Sequence, residues 1–341
     1  MTTAAPPIRL SVLDRSRIRQ GQAPSQALRD TVALAQQAER LGYHRFWVSE
    51  HHGVPGVAGS APTVLAAAVA AATTRIRVGT GGVMLPNHQP MVVAEQFGVL
   101  ASLFPDRIDM GLGRSVAFTD GVRRALGRGK DAADHFADQL DELLGHFDRV
   151  AGDHCGVRAR PAEGLHVPAF VLATGAGADI AANAGLPLVI GGFRGEDGML
   201  AALDRYRTRF RPSARAAEPY VVLSGSVAVA GTAEEARGLL VSEAWSGAYA
   251  RTHGEFPPLA PAPEILARQM GPRERTAYEE ALGGHIAGTP PEAVADLRAL
   301  MERTGADEFL VTTSTYDRVA LLDSYRLLAE AMRPEPDSTG R

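Results

Sequence analysis

Short apolar runs alternate along the chain with longer stretches in which apolar positions recur every third or fourth residue. Runs at 8–13, 45–50, 76–79, 108–113, 169–174, 188–190, 220–230 and 308–313 read as strands. The stretches at 24–41, 62–72, 92–103, 134–147, 178–184, 199–210, 291–304 and 321–332 read as helices; in the fourth, Leu140, Leu143 and Leu144 share one face. Strands that are apolar almost throughout belong to a parallel sheet covered on both faces. About eight such units close into a barrel more readily than they extend an open sheet, so the pattern predicts an α/β fold, a (β/α)8 TIM barrel.

Residues 1–335 are expected to form one domain, and the polar tail 336–341 to be disordered. The segment 250–288 carries Pro257, Pro258, Pro261, Pro263 and Pro272 and breaks the alternation, which predicts an irregular lid or insertion near the barrel mouth.

Composition removes several functions. A net charge of −4 and a pI near 6.2 leave no basic footprint for nucleic acid or an acidic membrane. No apolar run approaches the roughly 18 residues of a membrane span, and the N-terminus has no secretory pattern, so a cytoplasmic location is expected. Cys155 is the single cysteine, which excludes an internal disulfide or a thiolate metal cluster and reads as structural. Lys130 is the single lysine among 35 basic residues, a coding bias of high-GC genomes.

Candidate chemistry gathers after the strands, where barrel enzymes place reactive groups. Glu50, His51 and His52 end the second strand; a loop-stabilising cluster is the alternative. A metal site would need partners such as His88, Asp109 or Asp120, none at a ligand-like spacing, and no metal is predicted. Gly81 and Gly82 follow the third strand, where paired glycines admit a flat ligand or form an ordinary turn. Arg114 follows the fourth, placed to hold a phosphate bidentately or to make a surface ion pair. Thr174, Gly175, Ala176 and Gly177 lead from the fifth strand into a helix whose N-terminus favours anions. That loop lacks the dinucleotide fingerprint, so a tightly bound nicotinamide is not indicated.

The stretches 41–52 (Leu-Gly-Tyr-His-Arg-Phe-Trp-Val-Ser-Glu-His-His), 77–86 (Arg-Val-Gly-Thr-Gly-Gly-Val-Met-Leu-Pro), 94–96 (Ala-Glu-Gln) and 106–114 (Asp-Arg-Ile-Asp-Met-Gly-Leu-Gly-Arg) resemble bacterial luciferase-like flavin monooxygenases. The likeness weakens and returns at 184–187, Ala-Gly-Leu-Pro, and extends to actinomycete secondary-metabolite tailoring members. The resemblance implies reduced FMN in the barrel mouth. It implies a hydroperoxide formed at flavin carbon 4a from O2, and oxygen transfer that hydroxylates or epoxidises a small organic substrate, with an aromatic polyketide and a long-chain aldehyde as alternatives. His51 corresponds to the family's catalytic histidine, suited to proton transfer by a pKa near neutrality, with Glu50 orienting it and His52 in the substrate pocket. Gly81 and Gly82 stand where the family has a non-proline cis peptide. Arg114 matches a flavin-contacting arginine, Asp120 an acidic position near the flavin, and Thr174 to Gly177 the phosphate loop, with fewer hydroxyls than usual. Luciferases proper carry a reactive cysteine where this chain has Gly113, so light emission is not implied.

Without a nicotinamide motif, reduced flavin is expected from a separate flavin reductase. The helix 62–72, mostly alanine with Val64, Leu65 and Val69, offers a small-residue face for a homodimer or for packing on the barrel. Two alternatives remain: a deazaflavin-dependent hydride-transfer oxidoreductase on the same barrel, and a non-catalytic flavin-binding relative.

Overall fold

The computed structural model describes residues 8–148, 157–175, 177–191 and 195–333. Cys155, Ala176 and the tail 336–341 lie outside the described residues. Eight parallel strands form the centre: β1 (Arg9–Asp14), β2 (Arg45–Val48), β3 (Arg77–Thr80), β4 (Ile108–Gly113), β5 (Ala169–Leu172), β6 (Leu188–Gly191), β7 (Val221–Gly225) and β8 (Glu308–Val311). Their order is β3-β2-β1-β8-β7-β6-β5-β4, and β4 returns to β3 through Val78 with Ile108 and Gly79 with Asp109, which closes the predicted (β/α)8 barrel.

The seam depends on glycine. A methyl group at Gly79 would strike the carbonyl oxygen of Asp109, and one at Gly111 that of Thr80. Thr80 Oγ1 donates to the Gly111 carbonyl at 2.8 Å and accepts from the Gly111 N–H at 3.1 Å, fixing the approach.

The surrounding helices fall where the 3.6-residue pattern places them. Pro24–Leu41, Pro62–Ala72 and Pro90–Leu103 each begin with proline in the first turn, where a missing N–H breaks no helical bond. The first of them stops at Gly42, whose φ of 87° suits a residue without Cβ. Their buried faces, including Leu34, Val69 and Phe97, join one core between strands and helices. Inside the barrel, Trp47, Phe170, Val189, Val222 and Leu310 fill the lumen. Among the described residues, no helix is long and apolar enough to cross a membrane.

In the segment 250–288, expected to be an irregular insertion or lid near the mouth, helices alternate with irregular chain. Ala233–His253 continues into it, followed by Ala262–Leu266 and Pro272–Leu282. Two of the prolines that break the alternation start helices: Pro261 is the N-cap of the second, and Pro272 opens the third. Val241, Trp245, Ile265 and Tyr278 give this unit its own apolar cluster. The segment does lie at the barrel mouth: the Leu259 N–H donates to the Ile18 carbonyl and the Gln20 N–H to the Leu259 carbonyl, both at 2.8 Å.

At the opposite end, charges are sealed inside the barrel. Arg45 Nη1 donates to Asp109 Oδ2 at 2.9 Å and Arg45 Nε to both Glu308 oxygens at 2.9 and 3.0 Å. Arg77 Nη2 reaches Asp109 Oδ1 at 2.6 Å, Trp47 Nε1 donates to Asp109 at 3.2 Å, and Tyr220 donates to Glu308 at 2.8 Å. Asp109 and Glu308 are fully buried, so each must be met by its own donors. Replacing Asp109 by alanine removes the carboxylate that Arg45 and Arg77 share, leaving Arg45 with Glu308 and Arg77 with the Asp106 and Ile108 carbonyls. It is expected to cost about 3–5 kcal/mol, seen as a lower urea midpoint; an unchanged midpoint would show that the network contributes nothing net.

Candidate active site

Strand β2 runs out at Val48 on the mouth side, and the next residues turn into the opening. Glu50, 1% exposed, becomes the junction between the loops after β2 and β3. Its Oε2 accepts the Met84 N–H at 2.9 Å, and its Oε1 lies 2.7 Å from His52 Nε2. His88 Nε2 lies 3.0 Å from both oxygens, and Asn87 Nδ2 lies 3.4 Å from Oε1. Met84 is held by a short strand, Val83–Met84, paired with β4, and Asn87 ends the 3-10 turn Leu85–Asn87. Burial pushes the Glu50 carboxyl upward, but hydrogen bonds from His52, His88 and the Met84 amide outweigh it and hold it at about 2. Glu50 is therefore an ionised anchor. Its hydrogen-bond partners are His52 and His88; toward His51 it acts through its charge, which raises the His51 pKa.

His51 faces a different set of groups. Its backbone N–H donates to the Gly59 carbonyl at 2.8 Å, and its ring Nδ1 lies 3.1 Å from Ser49 Oγ. Burial, reinforced by the charges of Arg15 and Arg17, pushes its pKa down to about 4, where near-neutral titration had been expected. At pH 7 the ring is neutral, with a free base to offer.

Arg15 and Arg17 were not identified from the chain, although they follow β1 directly and the positional rule that pointed to Glu50 applies equally to them. Arg15 Nη1 pairs with Glu243 Oε1 at 2.9 Å and Arg17 Nη1 with the same oxygen at 3.4 Å. Arg17 Nη2 donates to Ser246 Oγ at 2.6 Å and to the Pro257 carbonyl at 3.2 Å. Glu243 and Ser246 come from the helix Ala233–His253, which carries no motif that would mark them.

Gly81 and Gly82 are joined by a cis peptide bond, as the resemblance implied. A Cβ at Gly81 would come within 2.7 Å of Leu13 Cδ1, and one at Gly82 within 2.8 Å of the Gly111 carbonyl. The pair is therefore a bare backbone ledge on the barrel wall. Arg114, directly after β4, has a side chain 42% exposed and a loose 3.8 Å contact to Asp134, leaving its guanidinium available to an anion. After β5, Thr174 is exposed, Gly175 adopts φ 65°, and Gly177 opens the helix Gly177–Ala184. Arg205, unforeseen in the sequence, donates to the Gly175 carbonyl at 3.3 Å and brings a second guanidinium to this loop. Asp120 heads the helix Asp120–Ala125 and is ion-paired with Arg123, so its carboxylate is engaged locally. Asp109 is in the barrel floor and His88 beside Glu50, so the three residues weighed as metal partners do not converge. At the rim, the rings of Phe118 and Phe256 pack 5.6 Å apart.

A family model described as luciferase-like monooxygenase matches residues 8–308. A luciferase-like monooxygenase of Escherichia coli (strain K12) is 35% identical over 323 residues, spanning 94% of this chain and 96% of the relative. The N-acetyl-S-alkylcysteine monooxygenase of Bacillus subtilis (strain 168) is 34% identical over 346 residues, spanning 95% and 98%. The crystal structure of apo-MsnO8 matches with a TM-score of 0.86 and 34% identity, covering 95% of this chain and 97% of that one.

The Arg15–Arg17–Glu243 cluster is tested by Glu243→Ala, which removes the carboxylate shared by a buried Arg17 and a part-buried Arg15. A loss of about 3 kcal/mol or more in urea denaturation is expected; a variant as stable as the parent would show that the arginines find other partners.

Proposed function

This chain belongs to the luciferase-like monooxygenase family, and we propose that it is the oxygenase of a two-component system. It takes reduced FMN from a separate flavin reductase and transfers one oxygen atom of O2 to a small organic substrate by hydroxylation or epoxidation. The observation that carries this reading is the grouping, at neighbouring strand ends, of an uncharged His51, the cis Gly81–Gly82 ledge and the available guanidinium of Arg114.

The residues present fit FMN. A phosphate would be held by Arg114, by Arg205 and by the backbone N–H groups opening the helix Gly177–Ala184, with Thr174 adding a hydroxyl. Gly81 and Gly82 present backbone alone to a flat ring. When bound and reduced, the flavin supplies the electron pair that activates oxygen.

The chain's own residues supply the rest. His51, neutral and backed by Ser49, accepts or returns a proton at the reacting centre. Arg15 and Arg17 keep positive charge beside it, which disfavours the imidazolium until substrate chemistry demands it. The helical unit over the loops after β1 and β2 shields the mouth from water, through the Gly56 N–H to the Phe256 carbonyl at 2.8 Å and the Leu259 bonds. Phe118 and Phe256 at the rim favour an aromatic substrate, in keeping with an aromatic polyketide.

The same reading includes a homodimer. Val64 is 70% exposed on the helix Pro62–Ala72 and Leu103 is 65% exposed on Pro90–Leu103, alongside Val92 and Val99. Leu65, Ala66 and Val69 of the first helix pack inward, so the outward apolar side chains are free to meet a second copy.

Stopped-flow mixing of reduced FMN and protein with oxygenated buffer tests the cofactor and the role of His51. Wild type is expected to change the reoxidation trace relative to free flavin, and His51→Ala to remove that effect by at least about tenfold while still binding reduced FMN. Reoxidation at the free-flavin rate, together with tight binding of a deazaflavin, would replace the oxygenase by a hydride-transfer enzyme. Light scattering at micromolar protein is expected to give a dimer that Val64→Glu with Leu103→Glu converts to monomer; a monomeric wild type removes the dimer.

A further inference from the structure

The junction around Glu50 has the composition of a metal site. One oxygen of Glu50 and one nitrogen each of His52 and His88 all lie within 4.8 Å of one another. The nearest approaches are 2.7 Å from Glu50 Oε1 to His52 Nε2 and 3.0 Å from Glu50 to His88 Nε2. Two imidazole nitrogens and a carboxylate are a common ligand set for zinc, at about 2.0–2.2 Å each. Donor atoms about 3 Å apart are compatible with two such ligands at roughly a right angle around one ion.

An independent observation points to the same place. Asn87 Oδ1 is buried without a hydrogen-bond partner, while the Nδ2 of the same amide lies 3.4 Å from Glu50 Oε1. A buried carbonyl oxygen with no donor is costly, and an ion, or a water bound to an ion, would satisfy it. The side chains of His52 and His88 are 19% and 30% exposed, so a hydrated ion has a way in. The supports that keep metal ligands in place are also present: the Met84 N–H holds Glu50 Oε2 at 2.9 Å, and Arg128 Nη2 donates to the His88 carbonyl at 3.1 Å.

We propose that Glu50, His52 and His88 bind one divalent transition-metal ion of the zinc class, and that the ion locks the loops after β2 and β3 together. With the ion in place each imidazole offers Nε2 to it and carries its proton on Nδ1. The ligands come from two loops, which makes the ion a crosslink at the barrel mouth. Its binding is independent of flavin and substrate.

The test uses the full chain without an affinity tag, stripped with a chelator and titrated calorimetrically with zinc chloride alone. One equivalent per chain is expected, with a rise in Tm that grows with zinc concentration. His88→Gln is expected to weaken binding by at least about tenfold and to abolish the thermal shift. Should that variant not fold, cobalt chloride added to wild type provides the second readout: d–d bands of a four- or five-coordinate N/O site are expected. No saturable heat and no thermal shift would overturn the proposal and leave a purely hydrogen-bonded clamp. Undiminished zinc binding by folded His88→Gln, or an octahedral aqua-like cobalt spectrum, would overturn it equally.

Discussion

The ring of strands closes because β3 and β4 touch backbone to backbone. Gly79 and Gly111 face the carbonyls of Asp109 and Thr80 so closely that neither position has room for a methyl group. β2 and β3 pair directly, so Met84, Asn87 and His88 of the loop after β3 can reach Glu50 after β2, and closure brings Val83–Met84 against β4. It also places Arg114, at the end of β4, on the same rim as the Gly81–Gly82 ledge. An open sheet would leave these groups on separate edges.

The closed barrel separates two sets of buried charges. At the floor, Arg45 and Arg77 meet Asp109, and Arg45 also meets Glu308, in a dry network whose donors and acceptors are matched to one another. At the mouth, the balance is left incomplete: Arg15 Nε, Arg17 Nε and Glu243 Oε2 are buried without partners. A matched network is structural, whereas unmatched polar atoms next to a neutral histidine mark a place arranged for chemistry. This contrast separates Asp109 from Glu243, two buried or part-buried acidic residues that both meet two arginines.

Two histidines adjacent in the chain have different roles for the same reason. His52 turns to the Glu50 carboxylate, while His51 turns away from it toward Ser49 and the arginines after β1. The helical unit over 233–288 then contributes through Glu243, which compensates the arginines, and through backbone bonds that hold the loops after β1 and β2 beneath it.

The sequence by itself determined the barrel and set its candidate residues at the strand ends, because both are written locally. Helix and strand periods, prolines in first turns and the contiguous groups Glu50-His51-His52 and Gly81-Gly82 are readable without knowing what packs against them. The helical character of 250–288 was hidden because prolines look the same whether they break a helix or begin one; the packing of Trp245, Ile265 and Tyr278 decided between them. Only the tertiary structure decided which groups pair and how they titrate. Arg17 and Glu243 meet across 226 residues, His88 meets Glu50 across 38, and His51 is held neutral by burial and by charges from another loop. Ion pairing and pKa depend on distance and dielectric in three dimensions, and no local pattern in the chain encodes either.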